Sequence, residues 1–327
     1  GFAMRKRGFA ATAAAVALWV GCGALAAVPQ RDPPPPWAFI LMQEGDPNPP
    51  GTRITVPGSS VHLTEKQLDD PFSLVDWFPE DHPPLPEVVS HGRRPQQYPC
   101  AYCHFPTGVG DSASAALAGL PAAYIEQQLF AFRTGRRQCA VAKAPCGTDM
   151  PQVARLVSAA DAKAAATYFS KLRYQPRVRV VEAAMVPKTR YGSLFPIRLA
   201  GGGEEPIGMR ILQMPDSAAL EYDGDWRVPV TAYVPPGSLA LGKRLVTSGA
   251  GALPCGSCHG ARLQGVGMAP PLAGRPPTYI VRQLYDIQYG YRRGPAVALM
   301  EPEVAHMTAR DRIALAAYIA ALRPGVR

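Results

Sequence analysis

Cys100-Ala101-Tyr102-Cys103-His104 and Cys255-Gly256-Ser257-Cys258-His259 share one form, C-x-x-C-H, and the rest of the chain is organised around them. Two thiols three positions apart stand about one helical turn apart. At that spacing they can bond the two vinyl groups on one edge of a porphyrin. The histidine that follows then lies under the ring and can reach its iron, the attachment signature of c-type haem.

The sequence around the two stretches also repeats. An offset of 155 carries Cys100 to Cys255, His104 to His259 and Gly110 to Gly265. The same offset carries Leu117-Ala118-Gly119 to Leu272-Ala273-Gly274, Tyr124-Ile125 to Tyr279-Ile280, Gln128-Leu129 to Gln283-Leu284, Gly135 to Gly290 and Arg137 to Arg292. Beyond a break the offset is 150, and Met150 maps to Met300, Asp161 to Asp311, Tyr168 to Tyr318 and Leu172 to Leu322. The first copy thus has five extra residues between Arg137 and Met150. Self-similarity of this kind predicts two copies of one fold.

Each copy reads as three helices. The first carries the C-x-x-C-H motif. The second runs from about Pro121 to Thr134, and from Pro276 to Tyr289, opened by proline and stopped by Gly135 or Gly290. The third runs from about Ser158 to Leu172, and from Thr308 to Leu322, with Ser158-x-x-Asp161 and Thr308-x-x-Asp311 as acidic capping boxes.

Histidine fills one axial position of an iron. Met150 and Met300 are the candidates for the other, because they are the only methionines at matching positions in both copies. Both are expected in a loop before the third helix. A neutral thioether raises the potential and closes the site to small ligands. Met307 rivals Met300, but its counterpart is Val157. A proline carbonyl of Pro270-Pro271 should accept a hydrogen bond from the free ring nitrogen of His259 and fix its tautomer. The first copy has Ala115-Ala116 in place of Pro270-Pro271, so its loop is less constrained and the two centres should differ in potential.

Cys139 and Cys146 lie in the insertion of the first copy. They read as a disulfide pinning the loop of Met150, or, alternatively, as the source of a thiolate ligand in place of Met150. Arg136, Arg137, Arg292 and Arg293 close the second helices, where they suit the helix dipole, could pair with propionates, or could form a docking patch. His82, in a turn-rich segment, reads as a surface histidine before a metal ligand.

With 327 residues, 36 prolines and 31 glycines, the chain predicts two or three domains with many irregular connections. Residues 1–27 read as a signal peptide: Met4-Arg5-Lys6-Arg7, an apolar stretch from Ala10 to Val20, and a cleavage site after Ala24-Leu25-Ala26 or at Ala27. Export to the periplasm follows. Trp19-Val20-Gly21 before Cys22 makes a poor lipoprotein box. The formal charge is +9, or about +6 without Arg5, Lys6 and Arg7. No long Lys/Arg run accompanies it, so nucleic acid is not the expected partner.

Residues 28–99 form an irregular extension, with a polyproline arm at Pro33–Pro36 and a docking segment or short strand at Trp37–Met42. Residues 175–251 form a β-rich connector, with strand-like runs at Val178–Val181, Met209–Met214 and Val228–Val234. Val56-Pro57-Gly58-Ser59 echoes Val234-Pro235-Pro236-Gly237-Ser238, which predicts a related strand-and-turn arm before each copy.

Taken together, C-x-x-C-H, Leu-Ala-Gly, Tyr-Ile-x-x-Gln-Leu, Gly-x-Arg, the methionine and the capped Ala-rich helix with its tyrosine resemble the class I c-type cytochromes. The tandem arrangement is most similar to the two-haem subclass four. The resemblance implies a mainly α fold: two class I cytochrome c domains (100–174 and 252–327), each about three helices around a covalent haem. It implies two haem c groups on Cys100, Cys103, Cys255 and Cys258, with His104, Met150, His259 and Met300 as iron ligands. It implies an electron-transfer protein working with a periplasmic dehydrogenase or terminal oxidase. The 82 residues between Leu172 and Cys255, and the extension, depart from that family and argue against direct docking of the haem units. They point to a dedicated partner. A two-haem peroxidase or thiosulfate-oxidising enzyme is the alternative function. A zinc protein built on two C-x-x-C pairs is the remote one.

Overall fold

A computed structural model describes residues 31–42, 53–192 and 194–325. The signal-peptide reading at residues 1–27 and the lipoprotein reading at Cys22 lie outside the described residues. The extension pairs β1 (Arg53–Ile54) antiparallel with β2 (Leu63–Thr64), and a Thr64/Gln67 capping box starts α1 (Glu65–Asp69). A single turn, α2 (Glu87–Ser90), then packs against the helix of the first motif, α3 (Cys100–His104).

The helices expected from caps and periodicity are present. In the first copy α4 spans Ala122–Arg133 between Pro121 and Gly135, whose φ of +69° is a conformation glycine adopts without strain. Pro145 at its first turn begins α5 (Pro145–Leu156). The Ser158 side chain accepts the Asp161 N–H and starts α6 (Ala159–Lys171). The first copy therefore has a helix more than expected, and Met150 lies inside α5, not in a loop.

The connector is a mixed sheet with two smaller strand pairs. In order come β3 (Val178–Glu182), β4 (Met185–Pro187), β5 (Thr189–Gly192), β6 (Phe195–Arg198), β7 (Glu204–Pro206), β8 (Leu212–Pro215), the short helix α7 (Ala218–Tyr222) and β9 (Val230–Val234). Central β9 pairs parallel with β3, Val178 opposite Val230, and antiparallel with β8, Leu212 opposite Tyr233. β4 pairs with β7, and β5 with β6. The three strand-like runs of the sequence correspond to β3, β8 and β9.

The end of the stretch expected as β-rich connector is instead helical, α8 (Ser238–Ser248). After it come α9 (Gly256–His259), α10 (Pro277–Gln288), α11 (Pro295–Ala298), α12 (Glu301–Val304) and α13 (Ala309–Ala321). α13 starts at a full Thr308/Asp311 capping box and buries Ile313, Leu315, Ala316, Ala317 and Ile319. α8 lies across it with Gly242 at the contact. A Cβ there would stand 2.7 Å from both the carbonyl carbon of Ala314 and the Cβ of Tyr318. Only glycine lets these two helices approach so closely.

α2 touches α6, as α8 touches α13, but over a much smaller contact. It is shorter because Pro83, Pro84 and Pro86 precede it, and proline disfavours helix both at its own amide and in the residue before it. The predicted kinship of the Val56 and Val234 segments therefore fails. Val56 lies between β1 and β2, while Val234 ends β9 and leads directly into α8.

The added segments are packed, not loose. Ile54, Val56, Leu63, Trp77 and Phe78 form a core with Phe105 and Val109 of the first copy and Trp226 of the connector. Trp77 Nε1 donates to the Asp223 carbonyl at 2.6 Å, and Trp226 Nε1 to Asp81 Oδ2 at 3.1 Å. The Trp37–Met42 segment includes a turn, and Phe39 meets the Tyr285 ring edge-on at 5.5 Å. Connector residues Ala232 and Val234 share the core of the second copy with Leu315 and Ile319. His82 is not on the surface: its side chain is 4% exposed, between Asp76 Oδ1 at 3.2 Å and the Pro83 carbonyl at 2.9 Å. Burial opposes its protonation, but Asp76, Pro83 and Asp81 outweigh burial and raise its pKa.

The long connector argued against direct haem-to-haem docking, yet the polypeptides of the two units do meet. Arg137 and Arg292 form a β-bridge between them. Gln138 N–H donates to the Tyr291 carbonyl at 2.8 Å, and Arg293 N–H to the Arg136 carbonyl at 2.7 Å.

Candidate haem centres

His104 and His259 end their one-turn helices buried, and each ring is fixed the same way. His104 Nδ1 lies 2.8 Å from the Ala115 carbonyl, and His259 Nδ1 lies 2.9 Å from the Pro270 carbonyl. A carbonyl only accepts, so each Nδ1 carries the proton and each Nε2 keeps its lone pair. Burial lowers both histidine pKa values, although the carbonyls pull the other way. Two neutral imidazoles thus present a free nitrogen donor, the form a metal binds.

Glycine folds each loop back under its histidine. Gly110 N–H donates to the His104 carbonyl and Gly265 N–H to the His259 carbonyl, at 3.0 and 2.8 Å. Their φ values are +75° and +84°. A Cβ would lie 2.8 Å from the Ala115 oxygen in one case and 2.7 Å from the Pro271 nitrogen in the other. Both glycines recur in the sequence repeat, and this close approach is the reason.

Cys100, Cys103, Cys255 and Cys258 are free. Burial pushes the Cys100 thiol up to about 12 and raises Cys255. Cys103 is also raised, by burial and then by Asp111 and Asp149, so these two acids surround the first motif. Among the described residues, no three His, Cys, Asp or Glu side chains gather to hold a bare metal ion.

Met150 is half-buried on α5. Met300 is half-buried between α11 and α12, and it flanks the same core as Cys255. Met307 is buried within that core, and its carbonyl accepts from Gln288 and Arg312. Cys139 and Cys146 lie at bonding distance from each other, at the start of the segment leading to Met150.

Arg137 and Arg292 are buried between the units, which excludes them from a surface docking patch, whereas Arg136 and Arg293 are exposed. The two copies bond each other reciprocally. Arg137 donates to Gln128 of its own copy and to Gln283 of the other, at 2.9 and 3.0 Å. Arg292 donates to Gln283 at 2.9 Å, and to Gln128 and Tyr124 of the first copy at 3.0 and 2.8 Å. The repeated Tyr, Gln and Arg thus belong to one network, a role that spacing alone did not reveal.

Arg282 is buried nearby, bonded to the carbonyls of Ala38 and Ala113 at 2.8 and 2.7 Å. Among the described residues no carboxylate stands at ion-pair distance from Arg137, Arg282 or Arg292, and Arg292 Nε has no hydrogen-bond partner. Asp286 is close enough to feel all three, but burial lifts its pKa to about 7. Buried cations need counter-charge. The carboxylates at one edge of a haem would supply it here, so the donor set fits the group on both its thioether side and its acidic side.

This arrangement defines a covalent haem carrier built from two copies of one domain. Residues 239–323 match the family model described as Cytochrome c. A stretch of 95 residues is 36% identical to cytochrome c-554(547) of Halothiobacillus neapolitanus, covering 27% of this chain and 99% of that protein. The chain belongs to the cytochrome c family, as a tandem of class I domains with an added arm and connector.

Over 230 residues the chain is 28% identical to the thiosulfate dehydrogenase electron acceptor of Thiomonas intermedia (strain K12), covering 69% of this chain and 80% of that protein. Among solved structures, a thiosulfate dehydrogenase from Marichromatium purpuratum superposes with a TM-score of 0.48 at 26% identity, covering 69% of this chain. The chain spans only 37% of that protein. Family membership brings covalent haem c, and with it electron transfer as the chemistry at hand.

Proposed function

We propose that this chain is a periplasmic di-haem c-type cytochrome that passes electrons between redox proteins and performs no substrate chemistry itself. One haem is held by Cys100 and Cys103 with His104 and Met150 as axial ligands, the other by Cys255 and Cys258 with His259 and Met300. Haem iron supplies a one-electron couple, and an axial thioether raises its potential. The chain's own residues orient the imidazoles through Ala115 and Pro270, and place Arg137 and Arg292 to balance propionate charge. Cys139 and Cys146 form a disulfide that holds the segment leading to α5, as suits an oxidising compartment. Residues 1–27 are removed on export, and no described helix is long and apolar enough to cross a membrane.

The observation that carries the reading is the matching imidazole hydrogen bond after both C-x-x-C pairs, 2.8 and 2.9 Å from Nδ1 to a backbone carbonyl. The electron donor we propose is a dehydrogenase that oxidises thiosulfate, supported by the likeness to an electron acceptor of such an enzyme over 69% of the chain. Anaerobic stopped-flow mixing tests this. Thiosulfate with a thiosulfate dehydrogenase should reduce both haems, and thiosulfate alone should reduce neither. Reduction by thiosulfate alone, or fast carbon monoxide binding at one haem, would overturn the carrier reading in favour of an enzyme.

A further inference from the structure

The loop under each histidine carries the carbonyl that fixes the ring, yet the two loops are held differently. In the second unit it is self-supporting. Pro270-Pro271 restrict it, Val266 and Ala269 bridge across it, and Val266 and Met268 face solvent at 60% and 41% exposure. The first unit has Ala115-Ala116 at those positions and lacks the fixed φ of proline.

There the loop is gripped from outside, by the connector. Glu221 of α7 reaches in with a side chain 1% exposed. Its Oε1 accepts from Ser112 N–H at 3.1 Å and Ser112 Oγ at 2.6 Å. Arg177, just before β3, holds both oxygens of Glu221 at 2.6 and 2.9 Å and donates to the Gly110 carbonyl at 3.1 Å. Its guanidinium lies 5.6 Å from the ring of Phe105, the residue after His104. Phe105 is itself at φ +58°, a sparsely populated conformation for a non-glycine residue. Within the loop, Asp111 Oδ1 ties back the N–H groups of Ala113 and Ser114 at 2.8 and 2.7 Å. The next residue, Ala115, receives His104 Nδ1.

We infer that Glu221 and Arg177 are a positioning pair for His104: the connector supplies from outside the constraint that two prolines supply in the second unit. A buried ion pair is weak evidence for stability, because desolvation offsets its attraction. Its placement here is on the two residues that frame the histidine-bearing turn. The strength of the Nδ1–H···O bond governs how much electron density an axial imidazole gives its iron. Loosening the clamp, and removing a buried negative charge, both raise the potential of that centre. The inference rests on the proposed function, in that a haem must be ligated by His104.

Spectroelectrochemical titration of the purified holoprotein tests it. Glu221→Ala should shift one centre upward by at least tenfold in its reduced-to-oxidised ratio at fixed potential, about 59 mV for one electron, and move the other less than twofold. Adding Ala115→Pro and Ala116→Pro should reverse the part of that shift that comes from the loosened loop. Pro270→Ala with Pro271→Ala should move the other centre instead. Glu221→Gln keeps the acceptor for Ser112 but weakens the hold on Arg177, and should give a smaller shift at the same centre, so it reads the effect even where the alanine variant folds poorly. Equal shifts at both centres, a lowered melting temperature with unchanged potentials, or no restoration by proline would each overturn the inference. Wild-type protein with a single haem would overturn the two-haem reading beneath it.

Discussion

Replacing Gly242 by alanine should destabilise the second unit, although helix propensity alone favours the change. In an exposed helix interior, Gly→Ala stabilises by about 1 kcal/mol. Here the new methyl would lie 2.7 Å from the Ala314 carbonyl carbon and from Tyr318 Cβ, and closer still to the Ala314 oxygen. Carbon atoms at van der Waals contact stand about 3.5–4.0 Å apart. The axes of α8 and α13 must therefore part by on the order of 1 Å, which loosens the packing around Val246 and Leu315. Overpacking of a well-filled core costs about 1–3 kcal/mol, and here the obstacle is backbone, which yields less than a side chain. At the upper end of that cost, and less the about 1 kcal/mol of propensity, the net loss should be about 2 kcal/mol, with a lower melting temperature by about 4–8 °C at roughly 2–4 °C per kcal/mol. Thermal melts of holoprotein, followed in the haem absorbance, give the value, with exposed Lys243→Ala as the control. A Gly242→Ala protein as stable as wild type, or about 1 kcal/mol more stable, would refute the close crossing of α8 and α13.

Three further perturbations address other parts of the molecule. Arg282→Ala leaves the Ala38 and Ala113 carbonyls without their donor; at about 1–3 kcal/mol for each unsatisfied acceptor, the 33–42 arm should become cleavable by protease at concentrations that spare wild type. Asp286 keeps its proton in the fold up to about pH 7 because it is buried, whereas in the unfolded chain it ionises near pH 4. The folded state then holds the extra proton across that window, so stability falls as pH rises from about 4 to 7, by up to roughly 4 kcal/mol; Asp286→Asn should flatten that part of a urea-midpoint profile. Gly110→Ala forces a left-handed position and crowds the Ala115 oxygen, and should lower the haem-to-protein ratio of the purified protein to near half that of wild type.

What could be read in advance was what local chemistry specifies. Pro121, Pro276, Gly135 and Gly290 mark the ends of α4 and α10, and Ser158/Asp161 and Thr308/Asp311 mark the starts of α6 and α13. A carbonyl of Pro270-Pro271 as the partner of His259 was legible in the sequence, while the structure singles out Pro270, and Ala115 for His104. α5 was not legible, since Pro145, Gly147 and Pro151 weaken its helical signal and packing against α4 decides it. α8 was hidden for the same reason: Gly242 looks like a breaker until Ala314 is seen beside it. The docking of the two copies rests on partners more than 140 residues apart, such as Arg137 with Gln283, and no local pattern encodes such a pair. Glu221 and Arg177 carried no signal either, because neither repeats and neither stands near a motif.

The most direct test of the account is the intact mass of the exported polypeptide under denaturing conditions, followed by mapping of the modified peptides. The account predicts two added haem groups, one on the peptide with Cys100 and Cys103 and one on the peptide with Cys255 and Cys258. A mass with one haem or none would contradict it.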